Sequence, residues 1–413
     1  MLSQRQLVVI DTPGSTSISA DGSAPEAPVD NLADPLTDNP TVEVTNGEIE
    51  PGAVNFLLVG TDNNACIDPQ SKYAPFILGR ENFGERADVI QMWRVNTDTG
   101  AVAALSFPRD LYVHLDGGRQ GRINTAFDPA DPNRLISTIR SNFGIETDHY
   151  VQVDFCAFKK MVDSVDGVGV PLDYPLRDRG TGLEIRSTGC VTLTGDDALA
   201  YVRSRKLEYE RPAGSDSWVL DPSSDWGRIA RQQDFLRRTI AKVISAGLYQ
   251  PTVARALIEA NADDVITDSE LSLSAMLGFA QVLRSVDTST IGSYQVEATG
   301  RTVGGQAVLI PTLSGDSMSA ILDIFQGDSP IEGSPVRLSE LPATSTTTRP
   351  PNIVPTTVPD TTPEPTVPED TTTTTLGTGP AGEVTPLLAL LPSQTTPDDN
   401  TIGWVPDPSV ICG

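Results

Sequence analysis

Short apolar runs alternate with helix-period segments between about residues 54 and 327, the pattern of an α/β domain. VNFLLVG (54–60) and ADVIQMWRV (87–95) predict strands. The second leads through Thr97-Asp98-Thr99-Gly100 into AVAALSF (101–107), which predicts a hairpin. HYVQVDF (149–155) predicts another strand, and the helical stretch behind it ends near Asp166-Gly167. DWGRIARQQDFLRRTIAKVISAG (225–247) is the clearest helix, with Asp225 as N-cap and Gly247 as stop. ALAYVRSR (198–205) reads as an extended segment, whose period of two puts Arg203 and Arg205 on one side and Ser204 on the other. No internal repeat is present.

Composition confines the fold to the middle of the 413 residues. Residues 1–50 carry nine acids against Arg5, and residues 341–413 carry eight against Arg349, so the flanks hold −8 and −7 of the net −26. Threonine and proline fill 24 of the 40 positions from 341 to 380. That leaves too little apolar material to offset the entropy of ordering. The expected division is an acidic, mostly disordered segment over 1–50, a folded domain over 51–330 and a Thr/Pro-rich disordered tail over 331–413. No stretch of about 18 apolar residues occurs, VTPLLALLP (384–392) is too short to span a bilayer, and the start lacks a signal-peptide core. Taken alone, those absences describe a soluble cytosolic chain. The stalk-like tail and the four cysteines suit an oxidising exterior better, which makes MLSQRQLVV a candidate late start without its anchor.

Several chemistries are excluded. His114 and His149 are the sole histidines and neither lies beside another ligand-type pair, the cysteines lack CxxC spacing, and no Walker A, dinucleotide fingerprint or GxSxG elbow occurs. The acidic balance argues against nucleic acid. Four cysteines allow three pairings. Cys156 opens the helix after HYVQVDF and Cys190 begins the β-like CVTLT, so Cys156–Cys190 is the expected disulfide. The alternative joins Cys66 to either, with Cys412 free or bonded to it.

Arginine and aspartate remain. Asp62 lies just past the first strand, and Arg86 and Asp88 open the next one. Each aspartate could be an ordinary turn residue, or the two could hold Mg²⁺ (or Mn²⁺), which takes one or two protein carboxylates plus phosphate and water. Arg109 follows the hairpin in SFPRD, and GRINTAF supplies Arg122 and Asn124. On the long helix Arg228, Arg231 and Gln232 fall at i, i+3 and i+4, predicting one shared face near the positive end of the dipole. Such crowding suits a bound anion, although arginines spread over the surface also fit. The Arg203/Arg205 pair likewise fits either a solvated strand edge or a multiply charged anion.

In order, FLLVGTD, ERADVIQMWRV, LSFPRDLYV, GRINTAF, DHYVQVDF, LTGDDALAYVRSR and DWGRIARQQDFLRR resemble the LytR-CpsA-Psr family of cell-wall glycopolymer phosphotransferases. The segment between Arg205 and Asp225 is most similar to actinobacterial members. The resemblance implies an α-β-α sandwich with a mixed central sheet and an apolar tunnel for a polyprenyl chain. It also implies transfer of a glycopolymer from a polyprenyl-pyrophosphate carrier to a peptidoglycan hydroxyl, outside the cytoplasmic membrane. Asp62 and Asp88 would hold the metal. Arg86, Arg109, Arg203, Arg205, Arg228, Arg231 and Gln232 would surround the pyrophosphate, with Arg122 and Asn124 assisting its binding. Arg122 stands where relatives often carry lysine, and Ala87 and Val89 replace the commoner Ser and Thr. The rival expectations are a polyprenyl-pyrophosphate hydrolase and a non-catalytic lipid-carrier binding or scaffold protein of the wall.

Overall fold

The computed structural model describes residues 6–11, 36, 50, 52–78, 85–115, 118–247, 249–261, 265–331, 399–400 and 402–412. The first part carries β1 (Gln6–Val8), β2 (Ala53–Thr61), α1 (Ala74–Ile77), β3 (Ala87–Asn96) and β4 (Val102–Ser106). A hairpin of β5 (Tyr112–His114) and β6 (Gln120–Arg122), α2 (Asn133–Phe143) and β7 (His149–Val153) follow. The middle part holds α3 (Phe155–Ser164), β8 (Val168–Leu172), β9 (Leu176–Asp178), β10 (Leu183–Ile185) and β11 (Gly189–Leu193). It continues through α4 (Gly195–Arg203), β12 (Glu208–Glu210), β13 (Trp218–Leu220) and α5 (Asp225–Ser245). The last part adds α6 (Pro251–Asn261), β14 (Val265–Asp268), α7 (Leu273–Val282), β15 (Gly292–Gln295), the hairpin β16 (Ala298–Val303) and β17 (Gln306–Pro311), and α8 (Asp316–Gln326).

Seven strands form the central sheet, in the order β1-β14-β7-β2-β3-β4-β15. It is mixed: β2, β3 and β4 run antiparallel in turn, while β7 joins β2, and β15 joins β4, in parallel. Strand alternation sorts the side chains into layers. Leu57, Val59, Ile90 and Met92 face one way, under Ile136 and Phe143 of α2 and Ile321 and Phe325 of α8. Phe56, Leu58 and Trp93 face the other, against Leu236 and Ile240 of α5. The architecture is therefore the expected α-β-α sandwich. No helix among the described residues is long and apolar enough to cross a membrane, and residues 384–392 lie outside those described.

The hairpin forms as its turn chemistry dictates, Asn96 Oδ1 accepting from Asp98 N and Thr99 N at 2.9 and 3.0 Å. The long helix starts at Asp225 itself, one residue earlier than expected, with Ser224 rather than Asp225 as N-cap and Gly247 (φ 66°) just beyond its end. The segment 198–205 is corrected from extended to helical up to Arg203. Thr194 caps α4 by accepting from Asp197 N, Asp196 and Asp197 occupy its first turn, and Ala198–Val202 are all buried.

Two pieces of the flanks belong to the folded domain. Gln6–Val8 pair in parallel with Ile266–Asp268 and form one border of the sheet. At the opposite border, Asp399 and Asn400 side chains accept from Ser293 N and Gln295 N of β15, both at 2.8 Å. From there residues 402–412 run beside α5 as a strap. Arg238 donates to the carbonyls of Pro406, Asp407 and Val410, and Gly403 (φ 122°) passes so close that a Cβ on it would meet Gly227 Cα at 2.5 Å. The strap corrects the disulfide expectation: the pairs are Cys66–Cys156 and Cys190–Cys412. Docking of a distant segment brings Cys412 to β11, and no spacing in the chain announces it.

Candidate active site

β2 and β3 separate at a β-bulge. Gly60 pairs with Val89 and Thr61 with Ala87, leaving Asp88 as the extra residue, a device that re-aims a side chain. A Cβ on Gly60 would fall 2.8 Å from that of Val89, so the close approach requires glycine. Asp88 is thereby turned into a cavity of about 500 Å³ between the sheet and helices α3, α4 and α5. Phe155, Phe158, Val202, Phe235 and Leu236 make much of its wall apolar.

At the polar end Arg86, Arg109, Arg203, Arg205 and Arg228 converge, with Gln232 beside them. Arg109 Nη1 meets Asp88 Oδ1 at 2.5 Å. Asp225 joins two of the arginines, Oδ1 to Arg205 Nε at 2.9 Å and Oδ2 to Arg228 Nη2 at 3.1 Å. Burial works to raise the Asp88 carboxyl, but Arg228, Arg109 and Arg205 outweigh it and hold the group below the usual carboxylate range. Burial pushes Arg228 down to about 10, helped by Arg205 and Arg109 and opposed by Asp225 and Asp88; it stays charged at neutral pH. Arg228 Nε, Gln91 Nε2 and Thr181 Oγ1 line or border this cavity, are buried and have no hydrogen-bond partner among the described residues. Unused donors and grouped guanidinium forks are what an anion with several oxygens would satisfy.

A LytR_cpsA_psr family model matches residues 28–323. The chain belongs to the LytR-CpsA-Psr family. It is 28% identical over 290 residues to the cell wall biosynthesis protein LcpA of Corynebacterium glutamicum, covering 62% of this chain and 53% of that one. It is 29% identical over 170 residues to the polyisoprenyl-teichoic acid–peptidoglycan teichoic acid transferase TagU of Bacillus anthracis, covering 40% and 51%. The chain thus spans about half the length of the curated relatives it matches. Among solved structures, a LytR-Csp2A-Psr enzyme from Actinomyces oris gives a TM-score of 0.51 at 23% identity, over 69% of this chain and 95% of that one. Bacillus subtilis TagV gives 0.51 at 21%, over 67% and 98%. Both likenesses show the fold.

Within this LytR-CpsA-Psr domain the sequence-predicted residues divide. Arg231 does not share the cavity-facing side of α5 with Arg228 and Gln232. It is fully buried, donating to Ser204 O at 2.7 Å and pairing with Asp221 at 3.1 Å. The i, i+3, i+4 arc is wide enough for its members to face different neighbours. Arg122 also lies off the cavity, reaching Ala307 O at 2.8 Å and Asp110 at 3.4 Å. Asn124 does not line it either; its backbone N–H donates to Arg109 O. Asp62 is not among the residues that line the cavity; its Oδ1 accepts from Arg86 N at 2.8 Å.

Sequence reasoning missed Asp178, which sits in no motif. Buried at 1% exposure, it accepts through Oδ2 from Ser204 Oγ, Arg205 N and Lys206 N at 2.6, 3.0 and 2.8 Å. It therefore shapes the loop that presents Arg203 and Arg205 in this LytR-CpsA-Psr site. Asp178→Ala is expected to weaken binding of a polyoxygen anion at the arginine cluster about tenfold and to lower stability by about 1–3 kcal/mol, the scale of stranded buried hydrogen bonds. Titration of a fluorescent pyrophosphate checks this, and parental affinity in the folded variant would show that the loop holds its shape unaided.

Proposed function

We propose that the protein is a phosphotransferase that moves a glycopolymer from a polyprenyl-pyrophosphate carrier to a peptidoglycan hydroxyl, forming a phosphodiester. The observation that carries this reading is one cavity with an apolar wall for the lipid and an arginine cluster, centred on Asp88, for its pyrophosphate. The names of LcpA and TagU support the same direction. The arginines hold the pyrophosphate and meet the charge that grows on the leaving phosphate, which is most of what phosphoryl transfer asks of a protein. The acceptor oxygen forms a P–O bond as the bridging P–O bond breaks. Polyprenyl phosphate leaves, and the hydroxyl proton passes to solvent. The site of action is extracytoplasmic, in keeping with the two cystines.

Asp62 and Asp88 fit a hard divalent cation. They are carboxylates at neighbouring strand ends, and Asp88 is held ionised. Mg²⁺ suits such a sparse protein donor set, since phosphate oxygens and water complete its shell. When bound it would offset charge on the pyrophosphate oxygens. Asp88→Ala is expected to keep donor binding and to lose most turnover, with EDTA reproducing the loss in the parent. Full, metal-independent turnover by the folded variant would sink the metal assignment.

The decisive experiment incubates the protein with a synthetic polyprenyl-pyrophosphoryl sugar, Mg²⁺ and peptidoglycan fragments, and reads products by mass. A sugar-phosphate adduct on the fragment is the expected result. Release of sugar phosphate to water alone would make it a hydrolase, and donor binding without turnover would make it a carrier-binding protein.

A further inference from the structure

The central sheet has a second cavity on its other face, of about 570 Å³. Its floor follows a cross-strand row: Gln6 of β1 pairs with Ile266 of β14, and Ile266 with Gln152 of β7. Gln152 in turn lies opposite Val59 of β2, which is buried beneath α2 and α8. Val153 and Leu58 point the opposite way and line the arginine cavity, as strand alternation requires. The two cavities back onto one another through the sheet.

They meet around its end. Asp154 lines both cavities. Arg86 lines the first and Glu85 the second, while Asn63 enters the second one residue past Asp62. The Arg86–Asp62 edge, joined by the 2.8 Å bond from Arg86 N, is thus the partition between them. The Cys66–Cys156 cystine also lines the second cavity and pins the loop after β2 to the first turn of α3.

The chemistry of the two differs. Among the described residues the second cavity is lined by the amides of Gln6, Asn63 and Gln152 and the carboxylates of Glu85 and Asp154, with no lysine or arginine. Such a lining disfavours an anion and suits a ligand that offers many hydroxyls, because carboxylates accept from them and amides both accept and donate. Position points the same way. In phosphoryl transfer the attacking and leaving oxygens lie roughly in line across phosphorus. With the lipid phosphate leaving toward the apolar cavity, the acceptor has to come from across the arginine cluster, and this is the cavity beyond the Arg86–Asp62 edge.

We propose that this polar cleft is the acceptor subsite, holding an uncharged saccharide by its hydroxyls and directing one of them past Asn63 and Glu85 to the phosphorus. The assignment rests on the phosphotransferase reading, and the bonds made and broken are those given for that reaction. Chitotetraose, neutral and free of phosphate, is a probe for the cleft alone. Ala65 is small, exposed and part of the lining, so Ala65→Trp fills the cleft. Asn63→Ala removes an exposed amide without adding bulk. In calorimetric titrations the parent is expected to bind chitotetraose, Ala65→Trp to bind it at least tenfold more weakly, and Asn63→Ala several-fold more weakly. Affinity for a polyprenyl pyrophosphate should stay within twofold in both. No binding of chitotetraose by the parent, or parental affinity in both variants, overturns the subsite. A parent that binds saccharide and lipid but yields no conjugate overturns the transferase reading instead, and leaves the cleft as a saccharide site.

Discussion

Arg228→Ala is expected to weaken binding of a polyprenyl pyrophosphate by about tenfold to a hundredfold, the range of one to two charge-assisted hydrogen bonds, and to reduce turnover at least as much. Among the cavity arginines this one is the most consequential for a structural reason. Its side chain is 4% exposed and it shares Asp225 with Arg205, so its removal takes one of two cationic partners from the carboxylate that also positions a second guanidinium. Arg86 offers a contrast, being 42% exposed and 4.0 Å from Asp62, and Arg86→Ala should cost less. Arg228→Lys keeps the charge without the planar fork and should fall between parent and Arg228→Ala. Equal donor affinity for Arg228→Ala and the parent, in folded protein, would remove Arg228 from the site.

Breaking the Cys190–Cys412 cystine is the change expected to cost most in stability. The bridge closes 222 residues, and constraint of an unfolded loop that long is worth up to about 5 kcal/mol. For a domain of this size that corresponds to a fall in Tm on the order of 10 °C. Cys412→Ser should show it in a thermal scan, and a thiol reductant should reproduce it in the parent. The strap adds a functional readout, because Trp404 O lies 3.5 Å from Arg231 Nη1 while the same guanidinium holds Ser204 O, between Arg203 and Arg205. Loosening the strap is therefore expected to lower donor affinity before it unfolds the domain. A Tm within about 1 °C of the parent for Cys412→Ser would show that the strap holds by its other bonds.

Elements whose patterning is local and repeated were legible in the chain. The β3–β4 hairpin carries alternation and turn residues, and α5 carries six turns of helical period between recognisable ends. The segment 198–205 misled because a short apolar run fits a strand or a buried helix equally well. The deciding signal was present just upstream, in Thr194 with Asp197 three residues on. Motif order located Asp88 and the arginines, but only packing separates Arg228 from Arg231. The apolar wall hid in plain view, since Phe155, Phe158 and Phe235 have the pattern of ordinary core. Nothing local betrays the strap: Asp399, Asn400 and Cys412 find partners more than a hundred residues away.

The borders of the sheet carry a kinetic consequence. One is supplied by residues 6–8, made before the other strands of the sheet, and the other is covered by Asp399 and Asn400, made long after the strand they cover. β15 therefore waits 105 residues for its cover, on the order of 5–20 s at ordinary rates of synthesis. During that interval its free N–H groups form an open strand edge able to recruit a neighbouring nascent chain. Chains ending before residue 399 keep that edge permanently, so association through β15 should accompany the weaker donor binding expected from loss of the strap.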